Sequence, residues 1–305
     1  MSIPTSILII GAGELGTAIL TALLSHPARQ PGATQISLLR RPATLTTPTP
    51  ETTRLLSLGI TLEPGDFVDD PIPQLAATFS KYHTVIQASG FGLPPGTQSR
   101  VTSAVLQAGV ERYFPWQFGL NYRAIGKGSD QNLFDEMLSV RETLAAQDKT
   151  SWTVVSTGLF MSFLLFEKAF GVVDFEGRKV TALGGWENKV TLTAAEDIGR
   201  VVAELVYVPG GSENKVVFVA GETVSYREVA EILERAVGGN WEKKVLDGEG
   251  VREEVKSNPE DGMIKYRSVF AAGMGTAWDV ARTVNYERGM KMVGLEEYLK
   301  RGRKG

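Results

Sequence analysis

The sequence predicts an α/β protein built on a doubly wound parallel sheet, with a smaller lobe in its C-terminal half. Three observations predict it. Short apolar runs without alternation, such as 7–10 and 84–88, read as strands buried on both faces. They alternate with stretches of helical periodicity through the first half of the chain, the pattern of parallel strands joined by crossover helices. Glycine-bearing turns fall at strand ends, where such a sheet receives its ligands.

The first strand, 7–10, runs into Gly11-Ala12-Gly13-Glu14-Leu15-Gly16, and Leu15, Ala18, Ile19, Ala22 and Leu23 then recur at helical spacing. Strand, tight turn and helix are the context that gives a GxGxxG pattern meaning, and they make the sheet Rossmann-type. Gly11 permits the turn, Gly13 lets the backbone approach a pyrophosphate, and Gly16 lets the helix lie close to the sheet. The phosphates then sit at the helix N-terminus, beside Glu14 and Leu15. The second strand, 35–39, is expected to end near the adenosine ribose, where an acid would bind a free 2′-hydroxyl. No Asp or Glu occurs between Glu14 and Glu51, and Arg40 and Arg41 follow the strand instead. Two guanidinium groups suit a 2′-phosphate through charge-assisted bonds, so the expected cofactor is NADP rather than NAD. The plain alternative is a solvated arginine pair.

A Pro/Thr-rich loop, 42–50, leads to a short helix near 54–58 and a strand near 60–63 that Gly65-Asp66 ends. A helix over 72–79, a buried strand over 84–88 and a helix over 98–108 with Gly109 as its C-cap follow. Ala88, Ser89 and Gly90 are expected to line the cofactor cleft. So are Phe114, Pro115 and Trp116, at the end of the strand that Tyr113 opens. A helix from 129 to about 147 carries Phe134, Met137, Leu138 and Arg141 on one face, and 151–156 is a further buried strand. Beyond 157 the pattern turns irregular, with an aromatic run, a strand near 179–182, the turn Gly184-Gly185-Trp186 and a strand over 190–193. A helix over 197–207, a strand over 215–220 and a helix over 225–237, opened by a Ser225/Glu228 capping box, come next. The charged tail after Trp241 is expected to be mostly helical. Residues 1–155 thus read as a dinucleotide-binding domain to which elements from about 190–220 return, and 156–305 as mainly a substrate-binding lobe.

A chain of 305 residues can bury a large core, and its net charge of −3 gives no electrostatic reason to expect nucleic acid or an anionic membrane as partner. The absence of cysteine excludes disulfides and thiolate catalysis. The apolar N-terminus lacks a basic stretch and contains the glycine turn, so it is not read as a signal sequence. The apolar run 157–173 is broken by Glu167 and Lys168 and is too polar to span a bilayer. The expectation is a soluble, cytoplasmic protein, monomer or homodimer. His26 and His83, the two histidines, precede strands on the edge opposite the glycine turns, so neither a metal site nor a Ser-His-Asp triad is expected.

Gly11-Ala12-Gly13-Glu14-Leu15-Gly16, the run from Arg112 through Tyr113-Phe114-Pro115-Trp116-Gln117-Phe118-Gly119, and Glu196-Asp197-Ile198-Gly199 occur in an order that resembles the isoflavone reductase-like and NmrA-like family. This family belongs to the atypical short-chain dehydrogenases, and the resemblance covers most of the chain. In the reductases the middle motif reads approximately Phe-Pro-Ser-Glu-Phe-Gly, so Phe114, Pro115, Phe118 and Gly119 match while Trp116 and Gln117 depart. Reductases of the plant type also carry a lysine in a Phe-x-x-Lys pattern as general acid or base near the nicotinamide. Phe134-Asp135-Glu136-Met137 puts Met137 at that place, and a thioether neither gives nor takes a proton. Met137 also lies at helical spacing with Phe134 and Arg141 and suits simple packing.

Tyr122 and Lys127 are the candidates to replace the lysine; Lys127, between Gly126 and Gly128, equally suits a solvated turn. The expected substrate pocket is aromatic and apolar, with Phe91, Gln117, Asn121, Phe160, Met161 and Trp186 as its lining, although several of these suit a core as well. Such a lining fits an aromatic or polycyclic small molecule. The resemblance implies an NADPH-dependent reductase of secondary metabolism, acting on a C=C or C=N bond. Reduction of an iminium ion, already cationic, dispenses with the proton donor. Two other readings stand beside it. One is a non-redox cyclase or isomerase that keeps NADP as a wall of its pocket and works by pre-organisation; the other is an NmrA-like redox-sensing regulator without catalysis.

Overall fold

The computed structural model describes residues 4–45, 49–128 and 132–302. In chain order the elements are β1 (Ser6–Ile10), α1 (Glu14–Ser25), β2 (Gln35–Arg40), α2 (Pro50–Ser57), β3 (Thr61–Pro64), α3 (Ile72–Phe79), β4 (Thr84–Gln87), α4 (Thr97–Ala108), β5 (Arg112–Phe114), α5 (Tyr122–Ile125), α6 (Asp135–Ala145) and β6 (Ser151–Ser156). Then come β7 (Leu159–Phe160), α7 (Met161–Phe166), β8 (Val173–Asp174), β9 (Lys179–Leu183), β10 (Lys189–Thr193), α8 (Ala195–Tyr207), β11 (Lys215–Phe218), β12 (Glu222–Ser225), α9 (Tyr226–Val237), β13 (Glu242–Leu246), α10 (Gly248–Ser257), α11 (Gly262–Ala272), α12 (Val284–Glu287) and α13 (Leu295–Gly302).

The chain divides into two compact units. The first comprises the residues up to Gln117, Glu136–Val155 and Ile198–Val217. It is organised on a seven-stranded sheet of order β11-β6-β5-β4-β1-β2-β3, in which every pairing from β6 through β3 is parallel. The expected Rossmann-type sheet is therefore present, with its reversal of strand order between β1 and β4. Central strands are buried on both faces, which is why Ile7, Leu8, Ile9 and Ile10 follow one another without a polar break. On one face Leu8, Ile10 and Val85 pack with Leu75 and Phe79 of α3, Val101 and Val105 of α4, and Val140 and Leu144 of α6.

The second unit comprises Phe118–Asp135, Ser156–Asp197 and the residues from Phe218 onward. It holds two three-stranded sheets, β12-β10-β7 and β13-β9-β8. The capping box that opens α9 is formed as expected: the Ser225 hydroxyl accepts from the Glu228 N–H at 3.2 Å, and the Glu228 carboxylate accepts from the Ser225 N–H at 2.7 Å.

Two element expectations are corrected. The helix expected from 129 begins at Asp135; residues 129–131 lie outside the described residues, and Asn132 has a φ of +39°, which a right-handed helix does not accommodate. The tail after Trp241 contains a strand as well as helices, since β13 pairs in parallel with β9. Its sequence, Glu-Lys-Lys-Val-Leu, has almost no buried face and so no apolar pattern to announce it.

Candidate functional site

The first unit gathers its glycine turns where strand order reverses. The Ala88 N–H donates to the Ile10 carbonyl at 2.8 Å, so the ends of β4 and β1 stay joined as the two turns begin. Gly11 has a φ of +103° and lies against Ser89, whose Cβ a side chain at 11 would strike. Gly16 lies on the Gly11 carbonyl, which leaves no room for a Cβ. Gly13 differs, because a Cβ built there would meet nothing within 4 Å. As N-cap of α1 it brings no side chain to the first-turn amides, so the helix end is open to an anion, with the helix dipole favouring it. This cradle fits a pyrophosphate. Glu14 is exposed at its rim, and Leu15 is buried and packs.

At the end of β2 the two arginines are not equivalent. Arg41 Nε lies 3.0 Å from Asp66 Oδ2, an acid that follows β3 and that the gap between Glu14 and Glu51 did not reveal. Arg40 is half-buried and forms no ion pair among the described residues. A single uncommitted guanidinium thus stands at the strand end where a 2′-phosphate would be read.

At the ends of β4 and β5, Ala88, Phe114 and Pro115 are buried, while Ser89, Gly90 and Trp116 keep part of their surface exposed. The Trp116 indole packs against Gly90 so closely that a Cβ there would collide with it. Phe91, next in the chain, is 59% exposed.

Met137 is buried on α6, and its carbonyl accepts from Gln117 Nε2 at 2.9 Å. Gln117 Oε1 accepts from Arg141 Nε at 2.6 Å, so both ends of this buried amide are committed to α6. Glu136, beside Met137, accepts from the Gly96 and Ser99 N–H groups at 3.0 and 2.9 Å, which ties α6 to the start of α4.

In the second unit Tyr122 is buried and its ring stacks on Phe134 with centroids 4.4 Å apart. Its hydroxyl fills the space beside Gly119. Asn121 caps α5, accepting from the Ala124 N–H at 3.4 Å. Lys127 is exposed between two positive-φ glycines. Met161 has no exposed surface, whereas Phe160 and Trp186 are half-buried. Among the described residues no group of three His, Asp or Glu side chains comes together as a metal set, and no helix is long and apolar enough to cross a membrane. The histidines are paired away from the glycine turns, His26 with Glu204 at 3.0 Å and His83 with Glu111 at 3.3 Å.

A model of the NmrA-like family matches residues 4–299. The chain belongs to that family. It is 47% identical over 300 residues to an NmrA-like family domain-containing oxidoreductase of Gibberella moniliformis, covering 97% of each chain. An isoflavone reductase homolog of Arabidopsis thaliana is 27% identical over 84% of this chain and 82% of its own. Among solved structures, AtPrR2 with NADP+ and (+)pinoresinol superposes with a TM-score of 0.75 at 19% identity, covering 98% of this chain and 99% of the other. The family expected from the three motifs is thereby established, and the fold of these neighbours agrees with the sheet described above.

Proposed function

We propose that the protein is an NADP(H)-dependent oxidoreductase of secondary metabolism that reduces a C=C or C=N bond, the latter as an iminium ion, in an aromatic or alkaloid-like substrate. The observation that carries this reading is the cradle at Gly11–Gly16 together with Arg40, uncommitted at the end of β2. The relatives' names, reductases and oxidoreductases, and the NADP+ and pinoresinol of one structural neighbour support it. Bound NADPH supplies a hydride. The chain's own residues do the rest: the first-turn amides of α1 hold the pyrophosphate and Arg40 the 2′-phosphate, as Gly13 leaves the approach clear.

Met137, its carbonyl held by Gln117 and so by Arg141, presents a thioether where the family resemblance places a lysine. That side chain delivers no proton, so an iminium substrate, which needs none, suits this chain better than an enone. For an enone the proton would come from the Tyr122 hydroxyl or from water.

Met137 also favours a second reading, in which NADP is retained as a wall and the protein folds its substrate for cyclisation or isomerisation. One experiment separates the two. Protein loaded with NADPH is incubated with a panel of aromatic iminium salts and enones while cofactor absorbance and product mass are followed together. Product formed with loss of NADPH supports the reductase; product formed with NADPH intact overturns it in favour of the second reading.

A further inference from the structure

In the first unit the nitrogen of one buried amide is left without a partner among the described residues. Gln98, in the first turn of α4, is 4% exposed, and its Nε2 is sealed from solvent with no hydrogen-bond acceptor among the described residues. A buried N–H in that condition costs free energy, and its retention asks for a reason.

The amide is oriented from behind by two side chains in series. Tyr113 Oη donates to Gln87 Oε1 at 2.8 Å, and Gln87 Nε2 donates to Gln98 Oε1 at 2.6 Å. Gln87 Nε2 also donates to the Ser89 carbonyl at 3.4 Å, which fixes which end of the Gln87 amide is nitrogen. Burial pushes the Tyr113 phenol well above its ordinary pKa, so it remains a donor. With Oε1 used, Gln98 can offer only N–H at its free end, and that end lies beside Gly90: a Cβ on Gly90 would strike both Gln98 Nε2 and the Trp116 indole. Trp116, only half-buried, lies beside the donor on the same side of Gly90.

Strand order decides which ligand this donor faces. β1, with the phosphate cradle, lies between β2 and β4. Arg40 marks the β2 side as the adenosine side, so the turn after β4 lies on the nicotinamide side, and Gly90 in that turn is one residue beyond the Ser89 that lies against Gly11.

We propose that Gln98 is a cofactor-binding residue whose Nε2 donates to a ribose or carboxamide oxygen in the nicotinamide half of NADP once the Trp116 indole moves aside. This rests on the NADP reading above, and the test separates the two. Binding of NADPH and of 2′,5′-ADP, which carries the 2′-phosphate but no nicotinamide, is measured by calorimetry for the unaltered protein, Q98L and Q98E. Q98E keeps an oxygen for Gln87 and replaces the donor with a carboxylate oxygen, whereas Q98L removes the donor without adding charge, so a loss shared by both variants is one that neither the charge nor the chain behind explains.

The expected result is about a tenfold loss of NADPH affinity in both variants with 2′,5′-ADP affinity unchanged. Equal losses for the two ligands, or an unaltered NADPH affinity, overturn the assignment of Gln98. Failure of the unaltered protein to bind either ligand is a different result, and it overturns the NADP reading together with the inference built on it.

Discussion

Arg40 and Arg41 are neighbours in sequence with different work to do. Arg41 is 59% exposed and shares its charge with Asp66, and an exposed ion pair of this kind contributes little on its own. Arg40 has no such commitment. Arg40→Ala is therefore expected to weaken NADPH binding by about tenfold or more, the size of a hydrogen-bonded charge pair, whereas Arg41→Ala weakens it by about threefold or less. NADH binding serves as the control and is expected to stay constant. An Arg40→Ala variant with undiminished NADPH affinity would remove Arg40 from the site. Met137 invites the opposite kind of change. Met137→Lys puts an ammonium where the native side chain is 9% exposed, and burial disfavours the charged form. A loss of about 1–3 kcal/mol in unfolding free energy is expected. NADPH oxidation with an enone should rise while that with an iminium ion does not, because only the enone needs a proton. Equal rates for the enone before and after the change would show that the proton comes from elsewhere.

The motif residue Gly199 explains itself through α8. A Cβ there would come within 2.5 Å of the Ala18 carbonyl oxygen and 3.0 Å of the Ile19 nitrogen, so α8 lies directly on the backbone of α1. The same two helices are joined by His26 and Glu204, with the His26 ring stacked on Tyr207. Gly199→Ala forces backbone apart and is expected to cost about 1–3 kcal/mol in urea unfolding; a smaller effect than about 0.5 kcal/mol would mean that the contact is slack. Elements of this kind were readable from sequence because buried faces leave patterns: helix 72–79 and the strand 151–156 were delimited to the residue. β13 was not, because its side chains are mostly exposed and its pairing with β9 is made by backbone. For the site the division is similar. The Gly11–Gly16 turn is a local pattern and was readable, while the Arg41–Asp66 pair and the Tyr113–Gln87–Gln98 chain join residues from different strands and helices and leave no mark on any one segment. Gln98 had one signal available, a polar residue at the start of a helix with apolar Val101 and Val105 on its buried face.

The buried and half-buried phenols of both units give the chain an alkaline limit. Tyr82, Tyr113 and Tyr207 in the first unit and Tyr226 and Tyr266 in the second all have pKa values raised, in each case first by burial. Unfolded tyrosine ionises near pH 10. The folded protein holds these protons to higher pH, so above about pH 10 the unfolded state binds fewer protons and stability falls as pH rises. For fully buried Tyr113 and Tyr226 the slope approaches about 1.4 kcal/mol per pH unit each. On the acid side Glu228 works in the other direction: the Ser225 N–H and hydroxyl hold its carboxyl below the usual value, and that contribution is lost as pH falls through it. Between these flanks stability should be level. The urea midpoint is thus expected to hold from about pH 7 to 9 and to drop steeply by about pH 11, with the tyrosinate absorbance of these five phenols appearing only with unfolding. Tyrosinate signal that folded protein of a Tyr286→Phe variant still gives in proportion to these five would show that they are reached by solvent. Tyr113 makes the outcome bear on the site as well, since it is the first donor of the chain that orients Gln98: if it keeps its proton until the fold gives way, NADPH affinity should remain level up to the pH at which the protein itself unfolds.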